Sequence, residues 1–243
     1  MYPIIFQFGS FKVYSYGLMV AAAFIVATFL ASQEAARQRV PAEKIFNLSI
    51  CLVVAGVLGA RLLYVLQNLE FYAGSPVEIL MLHKGGLSFY GGFILAVICA
   101  VIFLNRQRLP VFATLDIIAP YLALAQAIGR VGCFLNGCCY GLGAHPVQLY
   151  ASLSLLLIFV VLRVVQSKAG VRGHFAGRIF LFYCLLYSFS RFFMEYLRAD
   201  NLRIFAGFTV HQLISAAVFI ISWIIWWSRW RNSALRSQPK KKA

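Results

Sequence analysis

Charged residues are scarce in this chain, and acidic ones especially so. Only 12% of its 243 residues are charged and only 7 are Asp or Glu, whereas 62% are hydrophobic and the mean hydropathy is +0.81. A soluble domain is typically about 25% charged, so this composition excludes one. Low-complexity segments, repeats with a period of roughly 20–50 residues and polar linkers are also missing. We therefore expect a single integral membrane domain covering residues 1–243.

The features of a cleavable signal peptide are missing as well. The opening MYPIIFQFGSFK has no basic n-region, and no small-residue cleavage site ends the apolar run that follows. We therefore expect this first run to be a helix of the folded protein. An all-α, polytopic fold is predicted, because a helix needs roughly 20 apolar residues to cross the hydrocarbon. The seven candidate spans are residues 14–35, 45–67, 88–104, 111–128, 147–165, 179–196 and 208–227.

Basic residues far outnumber acidic ones, and their distribution predicts an orientation. Of the 22 Lys and Arg residues, 15 fall in connections on one side of the seven spans, 5 on the other side and 2 within spans. Because Lys and Arg are retained on the cytoplasmic side, we expect a periplasmic N-terminus and a cytoplasmic C-terminus with a basic tail at residues 231–243. This topology, with anionic headgroups of the bilayer as partners, accounts for the net charge of +15 without nucleic acid.

Four arginines stand out because they lie at one depth, near the predicted outer leaflet. Arg61 and Arg191 lie within spans two and six, and Arg130 and Arg198 lie at span ends. An ionisable group near the hydrocarbon costs several kcal/mol unless it is paired or hydrated, so it usually marks a functional site. Two structural alternatives stay open: Arg198 can snorkel to the interface, and Arg191 can pair with Glu195, four residues along the helix.

Glycine is concentrated in two segments on that same side. AIGRVGCFLNGCCYG at residues 127–141 has four glycines around Arg130, and HKGGLSFYGG at residues 83–92 contains Tyr90. Glycine permits tight backbone conformations, and non-helical backbone at membrane depth is tolerated where it lines a hydrated cavity. We therefore expect a re-entrant loop leaving span four and a second loop near span three. With the arginines they would form a pocket for an anionic lipid headgroup, because a guanidinium suits bidentate contact with phosphate.

These motifs resemble those of the prolipoprotein diacylglyceryl transferase family. GGLSFYGG, GRVGCFLNGCCYG, HPVQLY and SRFFMEYLR occur in the family's order and spacing, with YSYGLM and GARLLYV upstream, from residue 2 to about residue 230. The resemblance implies a seven-helix enzyme of the bacterial cell inner membrane. It also implies the reaction, in which the diacylglyceryl group of phosphatidylglycerol moves to the lipobox cysteine thiol of a prolipoprotein. The products are a thioether and sn-glycerol 1-phosphate.

The resemblance also implies roles for individual residues. Arg130 occupies the family's signature arginine and is expected to bind the phosphate, while Arg191 shares that work or stabilises the leaving group. Tyr90 is the third catalytic candidate. Displacement at the glycerol carbon needs a thiolate nucleophile and a stabilised phosphate leaving group. Glu195 is expected to orient Arg191 or Arg198. The substrate-binding candidates are Arg130, Tyr16, Arg61, Asn136, Gly137, Gly141, Glu195 and Arg198.

Two departures from the family pattern concern the thiol chemistry. Tyr90 stands where many members carry histidine, so either the base lies elsewhere, with His83 the nearest candidate, or electrostatics alone deprotonates the thiol. Cys133 and Cys138 stand where asparagine and glutamate are common, and Cys139 follows. The spacing C-x4-C-C matches no recognised zinc motif, so we expect no metal and no cofactor. A disulfide from Cys133 to one of its neighbours stays open, and small packing residues are favoured.

A lipid or anion transporter is the alternative function, because intramembrane arginines and glycine-broken helices also suit transport. A transporter is expected to show repeated halves with paired broken helices and polar groups at mid-membrane, and the sequence shows neither. A seven-span sensor would be expected to carry a cytoplasmic output domain, and we find no such segment in this sequence.

Overall fold

The computed structural model describes residues 2–8, 11–74, 76–81, 85–143, 145–169, 175–198, 203–205 and 207–236, and most of them are helical. The helices are α1 (Ser15–Arg37), α2 (Ala42–Gln67), α3 (Leu69–Ala73), α4 (Phe89–Arg106), α5 (Val111–Asn136), α6 (Val147–Ala169), α7 (Arg178–Met194) and α8 (Val210–Arg236). Their sequences are nearly continuously apolar, and a helix makes most of its main-chain hydrogen bonds internally, as a lipid environment requires. The predicted all-α fold is confirmed.

Six of these helices are long and apolar enough to cross a membrane: α1, α2, α4, α5, α6 and α8. At most 39% of the residues in any of their apolar stretches are buried inside the protein, so the remaining faces offer apolar surface suited to lipid. The predicted span 179–196 corresponds to α7, which has 17 residues. The chain is therefore a polytopic membrane protein, while the number of seven crossings and the orientation stay predictions.

The predicted basic tail begins as helix. α8 extends beyond the last predicted span to Arg236, so residues 231–236 continue the helix. Residues 237–243 lie outside the described residues.

α5 is longer than the predicted span 111–128 and continues to Asn136. The prediction of a re-entrant loop directly after this span is therefore wrong, since Arg130 lies on the helix and the loop begins at Gly137. Glycine disfavours helix by about 1 kcal/mol relative to alanine, but tertiary packing overrides this preference at Gly132. A β-carbon there would lie 2.8 Å from a side-chain carbon of α1, so this glycine permits close helix contact.

Two short antiparallel hairpins are present that the hydropathy pattern does not predict. The first pairs β1 (Ile4–Phe8) with β2 (Phe11–Tyr14), and the second pairs β3 (Arg203–Phe205) with β4 (Phe208–Thr209). A backbone amide just before β1 donates to Leu135 O in the last turn of α5, at 2.9 Å. The first hairpin is therefore held at the C-terminal end of α5.

The chain forms two compact units. Unit 1 comprises Met1–Ala31 and Phe112–Ala243, and unit 2 comprises Ser32–Val111. In unit 1, α5, α6 and α7 share a core formed by Ala119, Ala123, Ile158, Leu162, Ile179 and Tyr183. Of the four arginines singled out by the sequence, Arg61 belongs to unit 2 and the other three belong to unit 1.

Unit 2 is built on the crossing of α2 and α4. A β-carbon at Gly59 would lie 2.5 Å from Gly91 O, and one at Gly92 would lie 2.7 Å from Gly56 O. Small residues at such a crossing let the two backbones approach closely. Two glycines that the sequence assigned to the second loop therefore serve helix packing.

The second predicted loop is consequently shorter than residues 83–92. α4 begins at Phe89, so Tyr90 lies in its first turn. Residues 82–84, which include the candidate base His83, lie outside the described residues.

Candidate active site

Three of the four arginines line one cleft in unit 1. Arg130 from α5, Arg191 from α7 and Arg198, which follows α7, all border it. Their charges lie close enough to interact, since Arg130 and Arg198 both act on Arg191. The cleft is further lined by Cys139, Val147, Gln148, Ala151, Leu155, Tyr187, Ser190 and Met194. Guanidinium groups beside apolar side chains suit a phosphate that is joined to acyl chains.

Arg191 is held by a buried carboxylate. Its Nη1 lies 2.9 Å from Oε2 of Glu195, and Glu195 is only 3% exposed. The other carboxylate oxygen accepts a hydrogen bond from Thr209 Oγ1 at 3.0 Å. The ion pair that the sequence left open is therefore present, and it orients a guanidinium that also lines the cleft.

The end of α5 is closed by a glycine cap. Gly137 adopts a left-handed conformation with a φ of 77°. Its amide donates to Phe134 O at 3.2 Å, and the Cys138 amide donates to Cys133 O at 3.1 Å. This pair of bonds is the Schellman arrangement in which helices commonly end at glycine. The cap turns the chain back, so the residues after it lie beside the last turns of α5.

The segment after the cap is tied to the chain that follows α7. Gly141 pairs with Arg198 in an isolated antiparallel bridge, and the Leu142 amide donates to Leu197 O at 2.9 Å. A β-carbon at Gly141 would lie 2.6 Å from His145 O. Packing at the junction that carries Arg198 therefore requires a glycine.

Cys133, Cys138 and Cys139 converge near Arg130. Their thiols are free, and the three Sγ atoms lie within 4.8 Å of one another. A hydrogen bond from the Cys133 thiol lowers the pKa of Cys139 below its ordinary value, and the cations Arg198 and Arg130 act in the same direction. None of these three described cysteines forms the disulfide that the sequence left open. They form one sulfur cluster at the edge of the cleft, since Cys139 belongs to both.

Tyr16 and Asn136 lie at the same end of unit 1. Tyr16, in the first turn of α1, is partly exposed and interacts electrostatically with Cys133 and Arg130. Asn136 is the last residue of α5 and is half-buried. The structure thus brings these two predicted substrate-binding residues, together with Gly137, to the end of α5 that carries Arg130.

Two polar residues of the cleft lie within the motifs HPVQLY and SRFFMEYLR but were not predicted as site residues. Gln148 is 3% exposed and donates from Nε2 to Cys138 O at 2.9 Å. Ser190 Oγ lies 2.6 Å from Ser154 Oγ. Each stands as a polar residue within an apolar helix, where a polar group is expected to have a partner. That pattern is the signal by which the sequence could have identified them.

The buried charge of Arg61, in unit 2, is stabilised by backbone carbonyls. It is only 6% exposed. Its Nε donates to Ile79 O at 2.9 Å, and its Nη1 donates to Gly85 O at 2.7 Å and to Gly86 O at 3.0 Å. Nη2 donates to the carbonyl of Glu78. Four backbone carbonyls therefore hold this charge, and the guanidinium in turn holds the segment that precedes α4.

Tyr90, the predicted third catalytic residue, also belongs to unit 2. It lies in the first turn of α4 and is 50% exposed. Its ring meets Phe89 edge to face, with 5.9 Å between the centroids. Half of its surface is therefore accessible, and its catalytic role stays a prediction.

Known proteins match most of the length of this chain. The sequence model of the prolipoprotein diacylglyceryl transferase family matches residues 3–228. The phosphatidylglycerol–prolipoprotein diacylglyceryl transferase of Pediococcus pentosaceus is 35% identical, over 90% of this chain and 86% of the relative. Proteins of the same name from Listeria innocua and Enterococcus faecalis are 34% and 32% identical, over 90% and 98% of this chain and 87% and 94% of the relative. The similarity therefore covers both units.

Proposed function

Because this chain belongs to the prolipoprotein diacylglyceryl transferase family, we propose that it performs diacylglyceryl transfer at the arginine-lined cleft of unit 1. The protein is a transferase and a multi-pass bacterial membrane protein, and its substrates are phosphatidylglycerol and prolipoproteins. The proposed location is the inner membrane with the active site toward the periplasm. The uneven distribution of Lys and Arg among the connections supports this orientation.

The observation that carries the proposal is the convergence of three guanidinium groups on one cleft. One of them, Arg191, is paired with Glu195, which leaves the group with a net positive charge. The phosphodiester of phosphatidylglycerol carries one negative charge, and the departing glycerol phosphate gains a second as the carbon–oxygen bond breaks. Fixed cations in a water-poor site stabilise this growing charge more than the initial one, as rate acceleration requires.

The acceptor is proposed to be the lipobox cysteine in the signal peptide of the prolipoprotein. Its thiolate attacks the glycerol carbon that bears the phosphate. The carbon–sulfur bond forms while the carbon–oxygen bond breaks, and the electron pair leaves with sn-glycerol 1-phosphate. Arg130 binds the phosphate and Arg191 stabilises the leaving group, with Glu195 as the residue that orients Arg191. Tyr90 stays the candidate that takes the thiol proton.

The other predicted site residues divide into contact and positioning roles. Tyr16 and Asn136 are proposed to contact substrate, because they lie with Arg130 at one end of unit 1. Arg198 contributes a third positive charge to the cleft. Gly137 and Gly141 position the segment between Asn136 and Arg198 through the cap and the bridge described above.

Transfer is tested with purified protein, phosphatidylglycerol and a lipobox peptide, and it is read as a mass gain on the peptide cysteine. Arg130→Ala is expected to slow transfer by about 100- to 1000-fold, the usual effect of removing one group that stabilises developing negative charge. Arg130→Lys should restore little, because an ammonium cannot make the bidentate contact.

Arg37→Ala is the matched control, since Arg37 is 70% exposed at the end of α1 and should transfer normally. Full activity in Arg130→Ala would remove the proposed phosphate role. A transporter would instead move phosphatidylglycerol without any mass gain on the peptide; no observation in the described residues favours that function.

A further inference from the structure

The cysteine cluster of unit 1, formed by Cys133, Cys138 and Cys139, has no role in the chemistry described so far. Its three Sγ atoms lie within 4.8 Å of one another, and all three thiols are free. Cys133 comes from the last turns of α5, whereas the other two come from the loop after the cap. Three sulfur atoms from two structural elements thus converge on one point.

The backbone around the cluster is held in an uncommon geometry. Cys139 has a φ of 59°, in the left-handed region that residues other than glycine seldom adopt. The Cys138 amide donates to Cys133 O at 3.1 Å, and the buried Gln148 donates to Cys138 O at 2.9 Å. These contacts at the cap keep Cys138 and Cys139 beside Cys133. A residue in such a conformation persists only where its surroundings enforce it, which is frequent at functional sites.

Three thiolates are the ligand set of a thiophilic cation. Zinc is bound by cysteine at about 2.3 Å in tetrahedral geometry, which corresponds to sulfur–sulfur distances of about 3.8 Å. The sulfurs of the cluster therefore need to close by at most about 1 Å to hold the ion. Three thiolates on a divalent cation leave one net negative charge. The positive guanidinium groups of Arg130 and Arg198 interact electrostatically with Cys139 and would offset this charge.

The sequence spacing alone did not predict this site, because C-x4-C-C is not a recognised zinc motif. This spacing can nevertheless bring three sulfurs to one ion, because the helix cap at Gly137 reverses the chain within a single turn. The arrangement provides three protein ligands, and three ligands with an open fourth position are typical of catalytic zinc.

The described residues that line the cleft include no His, Asp or Glu to serve as a base, although the reaction needs the acceptor cysteine as a thiolate. A thiol that coordinates a bound cation is deprotonated outright. A cation at the edge of the cleft would therefore supply the nucleophile without a basic side chain.

We infer that Cys133, Cys138 and Cys139 bind one zinc ion, and that its open fourth position takes up the acceptor cysteine of the prolipoprotein as a thiolate. This inference rests on the proposed transferase function. The acceptor thiol replaces a water on the zinc and gives its proton to solvent. Its sulfur then bonds to the glycerol carbon as the carbon–oxygen bond breaks, and the electron pair leaves on the phosphate at Arg130. The thioether formed is a weak ligand and leaves the ion. No electron donor or acceptor is required.

Metal binding is tested on the full-length protein purified in detergent without chelator. Elemental analysis should find zinc in a ratio near one per chain. Cobalt in place of zinc should give a thiolate-to-cobalt charge-transfer band, which should grow when a lipobox peptide is added but not when its cysteine is replaced by serine. Cys133→Ser, Cys138→Ser and Cys139→Ser should each lose metal. Cys51→Ser, Cys99→Ser and Cys184→Ser, which are not part of the cluster, should retain it.

Chelation of the wild-type protein provides a test that does not depend on how the variants fold. Transfer should fall by about 100-fold or more after zinc is removed and should return when zinc is added. Full transfer by metal-free protein, or a disulfide within the cluster of the active protein, would overturn the zinc site and leave the transferase function intact. Normal zinc and cobalt results without transfer by the wild-type protein would instead reject the proposed function and retain the site.

Discussion

Arg61 in unit 2 and Arg130 in unit 1 are the same residue type on apolar helices, yet the two units use them differently. The guanidinium of Arg61 donates to four backbone carbonyls of the segment before α4. Arg130 instead lines a cleft with two further arginines. A buried arginine is therefore not by itself a binding group, because most of its five N–H donors can be used by the protein's own backbone.

The glycine segments differ in the same way. In unit 2, the carbonyls of Gly85 and Gly86 accept hydrogen bonds from the Arg61 side chain. In unit 1, Gly141 pairs through its backbone with the backbone of Arg198, whose side chain lines the cleft. One glycine segment thus binds the guanidinium of Arg61 through its carbonyls, and the other positions Arg198 at the cleft.

Of the variants that test the contrast between Arg61 and Arg130, Arg61→Lys should have the largest effect on stability. A lysine ammonium cannot reach four carbonyls with the geometry of a guanidinium, so Arg61→Lys should lower stability by about 3 kcal/mol. The unfolding midpoint in detergent should fall by roughly 5–10 °C, while transfer per folded molecule stays within about threefold of wild type.

Arg130→Lys is the reciprocal control and should lose transfer at an unchanged midpoint. If Arg61→Lys instead lost transfer with a normal midpoint, Arg61 would contact substrate, as its position within an apolar span predicts.

Adding a methyl group to each glycine segment should sharpen the comparison with smaller effects. In Gly86→Ala the new carbon would lie 2.7 Å from Arg61 Nη1 at a φ of +75°, so stability should fall by about 2 kcal/mol with transfer per folded molecule retained.

Gly141→Ala should lower transfer as well, by about tenfold, because the junction that carries Arg198 must move. Gly129→Ala is the control, since nothing lies within 4 Å of its added carbon; it should transfer normally and unfold at the wild-type midpoint or slightly above it, because alanine favours helix. Equal transfer by both segment variants would remove the distinction between the units.

If zinc supplies the thiolate, Tyr90→Phe should have the smallest effect, within about threefold in transfer rate. A phenol is a weak base at neutral pH, and the zinc site would supply the thiolate without it. The rate should be followed against pH for the wild-type protein, Tyr90→Phe and Tyr90→His. A profile that changes in the Phe variant would establish Tyr90 as the proton acceptor and would argue against a metal-activated thiol.

The helices were readable from the sequence because hydropathy is a local property. Each predicted span corresponds to a helix, and the length of α5 is the main error. There the composition of residues 127–141 suggested a loop, whereas the helix packs closely against α1 at Gly132 and continues to Asn136. Local propensity is a weak indicator where tertiary packing opposes it.

Only part of the candidate site could be predicted from the sequence. The motifs identified Arg130, Arg191 and Arg198, which the structure brings together, and the spacing of Arg191 and Glu195 allowed their ion pair. The contacts of Arg61, the partner of Gln148 and the convergence of the cysteines depend on segments that are adjacent only in the folded chain, so no pattern of spacing reveals them.

The sequence by itself determined that this is an apolar, predominantly helical membrane protein of a known transferase family, because composition and motifs are carried by residues in succession. Tertiary structure alone decided which arginine donates to backbone carbonyls, which arginines line a cleft and which cysteines lie close together. The physical reason is that a polar group buried in an apolar protein must find a partner, and the identity of that partner is set by whichever chain segment folds beside it.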